Sequence, residues 1–213
     1  MTFINENNLK IGDILLGYTS SAIDKGHDEL NTGYVHASIY FGENEVAEAI
    51  KPNVQITTFE KSIEVYDHIA VLRQPDAWHA KNISKFKSFV QDLIINKAKF
   101  NRQGIKAFKT NLKAKYRSEQ ENLKNYFDGK YQPKSPFKEE YFCSEFVVSV
   151  YIAIGFISES AAIIYNPEVM SPSSLGNDPT FGTFLGYIKS YEEYIIPQND
   201  QFMNRTTYYE IYG

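Results

Sequence analysis

Between Gly12 and Gln74 the chain runs through five short segments, "GDILLGYT", "VHASIYFG", "EVAEAI", "VQITTFE" and "HIAVLRQ". Each is rich in Val, Ile, Tyr and Thr, and turn residues such as "GEN" and "KPN" part them. Spacings this short suit antiparallel neighbours and leave little room for crossover helices, so a meander-like antiparallel sheet is predicted.

After Pro75 the period changes. Ile83, Phe86, Val90, Leu93 and Ile94 recur at helical spacing, which predicts a helix over 78–98 lying on the sheet. Ile105, Phe108, Leu112 and Tyr116 repeat the pattern in a second, amphipathic helix. "DGKYQPKSPFKEE", 128–140, carries Gly and two Pro and reads as a loop. A third helix starts near Cys143, with Phe146, Val147, Val150, Tyr151 and Ile154 as its buried stripe and Gly155 as its stop. The last sixty residues combine a loop, "NPEVMSPSSLGNDPTFG", with aromatic segments that read as late strands or irregular wrapping. The expectation is an α+β chain forming one domain over 1–213, in which 97–134 is a basic helical insertion or lid.

Hydrophobic residues at 43% and aromatics at 15% exclude a disordered or fibrous chain. One cysteine excludes an internal disulfide framework. The start has no basic segment followed by an apolar core, and no apolar run approaches the roughly 20 residues that span a bilayer, so the expected location is the cytoplasm and no transmembrane segment is expected. A net charge of -4 argues against nucleic acid as a partner, but it hides an asymmetry. From Lys97 to Lys134 eleven Lys or Arg face three acids, a net +8 that leaves -12 for the rest. This stretch is either a solvated helical face or a contact for an anionic partner: a membrane surface, a polyanionic polymer or an acidic substrate.

The single cysteine sits in "YFCSEFVVSVYIAIGF", at a helix entrance. Unpaired N–H groups and the dipole of a first turn favour a thiolate, so a cysteine there is a candidate nucleophile if a base is near; taken alone it is a small core residue. Of the four histidines, His27 and His79 read as surface residues and His68 as an exposed edge position opening its strand. His36 differs. In "VHASIYFG", Val35, Ala37, Ile39 and Phe41 form one face and His36, Ser38 and Tyr40 the other. A three-residue turn, Gly42 to Asn44, would pair Phe41 with Glu45, set Ser38 opposite Glu48 and put His36 diagonally from Glu48, roughly 7 to 8 Å away between backbones. A two-residue turn would send Glu48 to the other face. In the first register Glu48 can hold one ring nitrogen of His36 and leave the other to take a proton from Cys143. The plain alternative for Glu48 is an exposed strand glutamate.

"GDILL" followed by "HASIYFGENEVAEA" resembles the core of NlpC-type papain-like peptidases, in which a histidine strand follows a glycine-aspartate strand. In the usual members the cysteine helix precedes these strands; here Cys143 follows His36. "YFCSEFV" is similar to the signature of the permuted branch, the YaeF/YiiX-like family, related to lecithin retinol acyltransferase-like enzymes, and "MSPSSLGND" resembles that branch's later segment. The resemblance spans most of residues 10–155. It implies a circularly permuted papain-like (NlpC-type) fold, with an antiparallel sheet packed against helices and the cysteine helix after the sheet. It also implies Cys143 as nucleophile, His36 as general base then acid, Glu48 as the orienting third member, and a tyrosine at the oxyanion site, Tyr131 in "DGKYQPKSPF", with Tyr141 as the competitor.

The reaction so implied is acyl transfer through a thioester, with no cofactor, on a peptide amide, including a cell-wall peptide, or on a fatty-acyl ester or amide. A catalytically silent binding module of the same fold is the alternative. The chain has no H-E-x-x-H or C-x-x-C pattern for zinc and no Gly-rich phosphate loop for a nucleotide.

Overall fold

The computed structural model describes residues 1–21, 33–133, 135–158 and 160–213. His27 and Lys134 lie outside the described residues. Two compact units divide the chain: one comprises Met1–Glu48, Ile56–His79 and Ser171–Gly213, the other Ala49–Gln55 and Ala80–Met170.

The first unit is built on an α+β arrangement whose sheet has six described strands. These are β1 (Ile14–Tyr18), β2 (Tyr34–Gly42), β3 (Glu45–Ala49), β4 (Val54–Thr58), β5 (His68–Arg73) and β8 (Thr183–Lys189), in the order β4-β3-β2-β1-β5-β8. The five strands expected from the sequence all form. The order departs from a plain meander, because the chain leaves β4 through the short helix α1 (Phe59–Ile63) and adds β5 on the far side of β1. β1 pairs antiparallel with β2 and β5, and β5 with β8. β1 and β5 are buried along their whole length, as their near-continuous apolar runs require. On one face Leu15, Tyr40, Val46, Ile69, Val71 and Leu185 form a core that Phe59 and Tyr66 join. The helix α5 (Pro172–Asn177) packs against β1 and β2, and α6 (Tyr208–Tyr212) against β8.

β8 corrects the reading of His68. With β8 paired to β5, the latter is an interior strand, and His68 is fully buried instead of lying on an exposed edge. The N-terminal segment continues the pattern, since Ile4 N–H donates to the Tyr187 carbonyl and Tyr187 N–H to that of Thr2, both at 2.9 Å. Gly186, at φ +157°, makes this possible: a Cβ there would come within 2.9 Å of the Ile4 side chain.

The aspartate of "GDILL" anchors the start of the sheet. Asp13 accepts from Arg73 Nε at 2.8 Å and Arg73 Nη2 at 2.5 Å, and from Lys10 N–H at 2.8 Å. Burial pushes its carboxyl above the ordinary value although Arg73 opposes this.

The second unit is helical. In α2 (Ala80–Ile95) Asn82, Phe86, Phe89, Val90 and Leu93 form the buried stripe, and the helix packs against α4 (Cys143–Ala153), which is buried from Cys143 through Tyr151. Lys85 Nζ donates to the Ile154 carbonyl at 2.9 Å and closes the C-terminal end of α4. Between them α3 (Arg102–Phe127) runs 26 residues, about 39 Å at 1.5 Å per residue, and buries Phe108. The parallel pair β6 (Lys99–Phe100) and β7 (Glu140–Tyr141) joins the chain before α3 to the chain entering α4. The cysteine-bearing helix therefore follows the first five strands of the sheet in the sequence, as expected, and β8 comes after it. His79, just before α2, is exposed.

Candidate active site

The β2–β3 hairpin settles the register on which Glu48 depends. Glu43 and Asn44, with φ of 54° and 61°, make a two-residue turn of the type that suits strand twist. Such a turn alone would have put Glu48 on the wrong face. A bulge intervenes: Gly42 pairs with Glu45, the register then shifts at Phe41, and Tyr40 pairs with Val46 and Ile39 with Ala47. From Tyr40 onward the pairing is the one a three-residue turn would have given. His36 and Glu48 meet in consequence, with Nε2 2.8 Å from Oε2.

Both side chains are buried, His36 at 6% and Glu48 at 3% relative exposure. An exposed strand glutamate is therefore excluded. A buried carboxylate at this distance takes the Nε2 proton as a hydrogen bond and leaves Nδ1 as the second ring nitrogen. The imidazole is also held on its face. Tyr66 lies parallel to it at 10°, with ring centroids 5.7 Å apart. Gly17 stands directly across from His36 in the β1–β2 pair, and a Cβ at Gly17 would come within 2.8 Å of three atoms of the Tyr66 ring. The glycine in the middle of an apolar strand is thus the opening through which Tyr66 reaches the histidine. Sequence reasoning missed Tyr66; the available signal was Gly17, since a glycine inside a strand marks a close approach.

Cys143 belongs to the other unit, where it is the first residue of α4 and is 8% exposed. Phe142, in extended conformation at φ -93° and ψ 170°, is the residue before the helix. Its N–H donates to Glu145 Oε2 at 3.2 Å, a one-sided cap, since a phenylalanine side chain has no acceptor to return the bond. Ser144 donates to the Met170 carbonyl at 2.6 Å. These bonds fix the turn that carries the sulfur. Burial raises the Glu145 carboxyl above its ordinary value, opposed by Lys138, whose Nζ lies 2.5 Å from Glu145 and 3.0 Å from Glu168.

The two tyrosines differ. Tyr141 is fully buried, and its hydroxyl donates to the Pro136 carbonyl and accepts from Lys138 N–H, both at 2.6 Å. It clasps the loop that leads into α4. Tyr131 is half-buried and packs edge-on to Tyr126. It lines a small cavity with Lys138, Ser149 and Ile152. Ser149 is six residues beyond Cys143, about 9 Å along the helix, so this cavity borders the later turns of α4.

Among the described residues no group of three or more His, Cys, Asp or Glu side chains is disposed to hold a metal ion. A different buried histidine cluster occupies the first unit: Asp200 accepts from Tyr34 at 2.9 Å and Tyr187 at 2.6 Å, and lies 3.3 Å from His68 Nε2.

Over 108 residues the chain is 32% identical to a protein of Escherichia coli (strain K12) named probable lipoprotein peptidase YaeF. The match covers 49% of this chain and 38% of that relative, so the chain spans about two fifths of its length. No family model matches the chain, and no solved structure does. Over about half its residues the chain is therefore similar to a protein whose name places it in the branch that its motifs resemble.

Proposed function

We propose that the chain is a peptidase-type cysteine hydrolase that cleaves an amide through a thioester. The observation that carries this reading is the buried 2.8 Å contact between His36 Nε2 and Glu48 Oε2. A carboxylate withdrawn from water on one ring nitrogen orients the other for proton transfer and stabilises the imidazolium that forms. Cys143 at the entrance of α4 supports it, because first-turn N–H groups favour a thiolate and can receive an oxyanion. The similarity to a protein named as a peptidase supports the substrate class.

In the proposed reaction His36 Nδ1 takes the thiol proton and the Cys143 sulfur attacks the scissile carbonyl. The tetrahedral oxyanion is met by the Cys143 backbone N–H. Collapse breaks the C–N bond, His36 gives its proton to the leaving amine, and a thioester remains. Water, deprotonated by His36, then attacks the thioester and releases the acid and the thiol. The meeting of Cys143 with His36 is part of the proposal.

The test is a panel of peptide amides and acyl esters turned over by wild type, Cys143→Ala and Glu48→Gln. Cys143→Ala should have no turnover. Glu48→Gln exchanges a charge-assisted bond, worth ~1.5 to 3 kcal/mol, for a neutral one, worth ~0.5 to 1.5 kcal/mol, and the difference of about 1 to 1.5 kcal/mol should slow kcat/KM by roughly 5- to 13-fold. Full activity of Cys143→Ala refutes the mechanism. Turnover confined to long-chain acyl esters, all of it dependent on Cys143, keeps the mechanism and moves the substrate to a lipid.

A further inference from the structure

We propose that the outer face of α3 is a docking surface for an anionic lipid bilayer. Ile105, Leu112, Tyr116, Leu123 and Phe127 recur at alternating spacings of seven and four residues. At about 100° per residue these positions fall within roughly 60° of arc, so they form one continuous apolar row along the helix. The row is not core. Tyr116 is 72% and Phe127 81% exposed, and the other three lie between 37% and 40%. Phe108, the buried residue of α3, lies about 40° around the helix from Leu112, so the apolar row borders the packed side and turns away from it toward solvent.

Immediately beside the apolar row, on the side away from Phe108, Arg102, Lys106, Lys109, Lys113, Arg117 and Lys124 make a second row, all exposed. Of the two acids of α3, Glu119 pairs with Lys115 at 3.7 Å, and Glu121 lies on the far edge of the cationic row from the apolar one, beside Arg117 and Lys124, so six cations face one acid there. An apolar row flanked by cations is the arrangement of a helix lying in the plane of a membrane interface, with rings at the acyl boundary and ammonium and guanidinium groups among the phosphates. A soluble polyanion would use the cations but not the exposed rings. A neutral apolar partner would use the rings but leave six cations beside it. Among the described residues no helix is long and apolar enough to cross a membrane, so α3 lies in the interface and does not span the bilayer. The rest of the chain, outside 97–134, carries -12 and would be repelled by the same surface.

The experiment is co-sedimentation of the full chain with large vesicles of phosphatidylcholine alone or with about 30% phosphatidylglycerol. The Cys143→Ala background is used throughout, so the outcome is independent of the hydrolase reading. Binding is expected to the anionic vesicles and to collapse between ~0.1 and ~0.5 M salt. Each cation near the surface contributes about fivefold, so the triple variant Lys106→Gln, Lys113→Gln, Arg117→Gln should bind roughly 100-fold more weakly. Tyr116→Ser with Phe127→Ser should bind at least about tenfold more weakly. All five side chains are on the outside of α3, and unchanged thermal unfolding verifies that the variants fold. Equal binding to neutral vesicles, no binding to either, or capture by heparin at an affinity indifferent to Tyr116→Ser and Phe127→Ser would each overturn the proposal, the last in favour of a soluble polyanion.

Discussion

The stack of Tyr66 on His36 exists only because position 17 has no side chain, and this can be measured. In Gly17→Ala the new Cβ would sit 2.8 Å from three atoms of the Tyr66 ring, closer than such atoms approach, and the ring belongs to a residue only 9% exposed. The ring cannot retreat freely, because Tyr66 is part of the core with Leu15, Phe59 and Ile69. Overpacking of this kind costs ~1 to 3 kcal/mol. Against it stands the gain from replacing a glycine in a strand, ~0.5 to 1 kcal/mol. The net effect should therefore be a destabilisation of about 1 kcal/mol.

Tyr66→Ala removes the obstacle. By itself it should cost ~3 to 5 kcal/mol, as a large buried ring does. In that background, however, Gly17→Ala retains only its favourable part and should stabilise by ~0.5 to 1 kcal/mol. The sign of one substitution thus reverses with the residue 49 positions away, and the coupling between the two sites is about 1 to 3 kcal/mol. Urea unfolding of the four proteins in the cycle measures it. A coupling below about 0.5 kcal/mol, the scatter expected for independent sites, would show that Gly17 and Tyr66 do not compete for the same space and that the stack on His36 has another origin. Peptide hydrolysis by the same four proteins supplies the functional half: if the stack positions the imidazole, Gly17→Ala lowers kcat with KM nearly unchanged.

Two further outcomes separate roles that residue type alone leaves merged. Tyr131→Phe should lower kcat by less than about tenfold, because the Tyr131 cavity borders Ser149 and Ile152 and not the first turn of α4; a loss of ~10² to 10³ would make the hydroxyl an oxyanion donor after all. Asp200→Asn tests the second histidine cluster. Burial alone would raise the Asp200 carboxyl, but the bonds from His68, Tyr187, Phe202 N–H and Tyr34 hold it below the ordinary value. The unfolded chain then binds the proton more tightly, so the stability this carboxylate adds is complete above its unfolded pKa of about 3.9 and is lost as pH falls through the lower folded value. In urea unfolding at stepped pH the gap between wild type and Asp200→Asn should narrow below about pH 4; a gap that does not change with pH would refute the role.

The residues that bear on the site were legible where their evidence was local. Alternation in "VHASIYFG" separates His36 from the core face within eight residues, and the apolar stripe of Phe146, Val147 and Val150 sets the start of α4 near Cys143. The hairpin was legible in its consequence but not in its cause. Glu43 and Asn44 adopt positive φ, which makes a two-residue turn, and only the bulge at Phe41 restores the pairing that brings Glu48 to His36. A bulge leaves no mark in the hydrophobic alternation, because Phe41 reads as an ordinary strand residue.

What stayed hidden depends on pairs far apart in the chain. His68 reads as an edge residue until β8, more than a hundred residues later, pairs with β5 and buries it beside Asp200. The same holds for Asp13 with Arg73, and for Lys138, whose place between Glu145 and Glu168 no pattern announces. These are contacts between polar groups, and polar positions carry no periodicity of their own: a buried aspartate and an exposed one look alike until the strand beside them is known. Gly17 is the exception that shows the limit. Its missing side chain was visible in the sequence as a gap in an apolar run, yet the ring that fills the gap could be identified only once β1, β2 and the chain before β5 had been brought together. A histidine held on its edge by Glu48 and on its face by Tyr66 has little freedom left to turn, and that restraint is what the role of general base proposed for His36 requires before any substrate arrives.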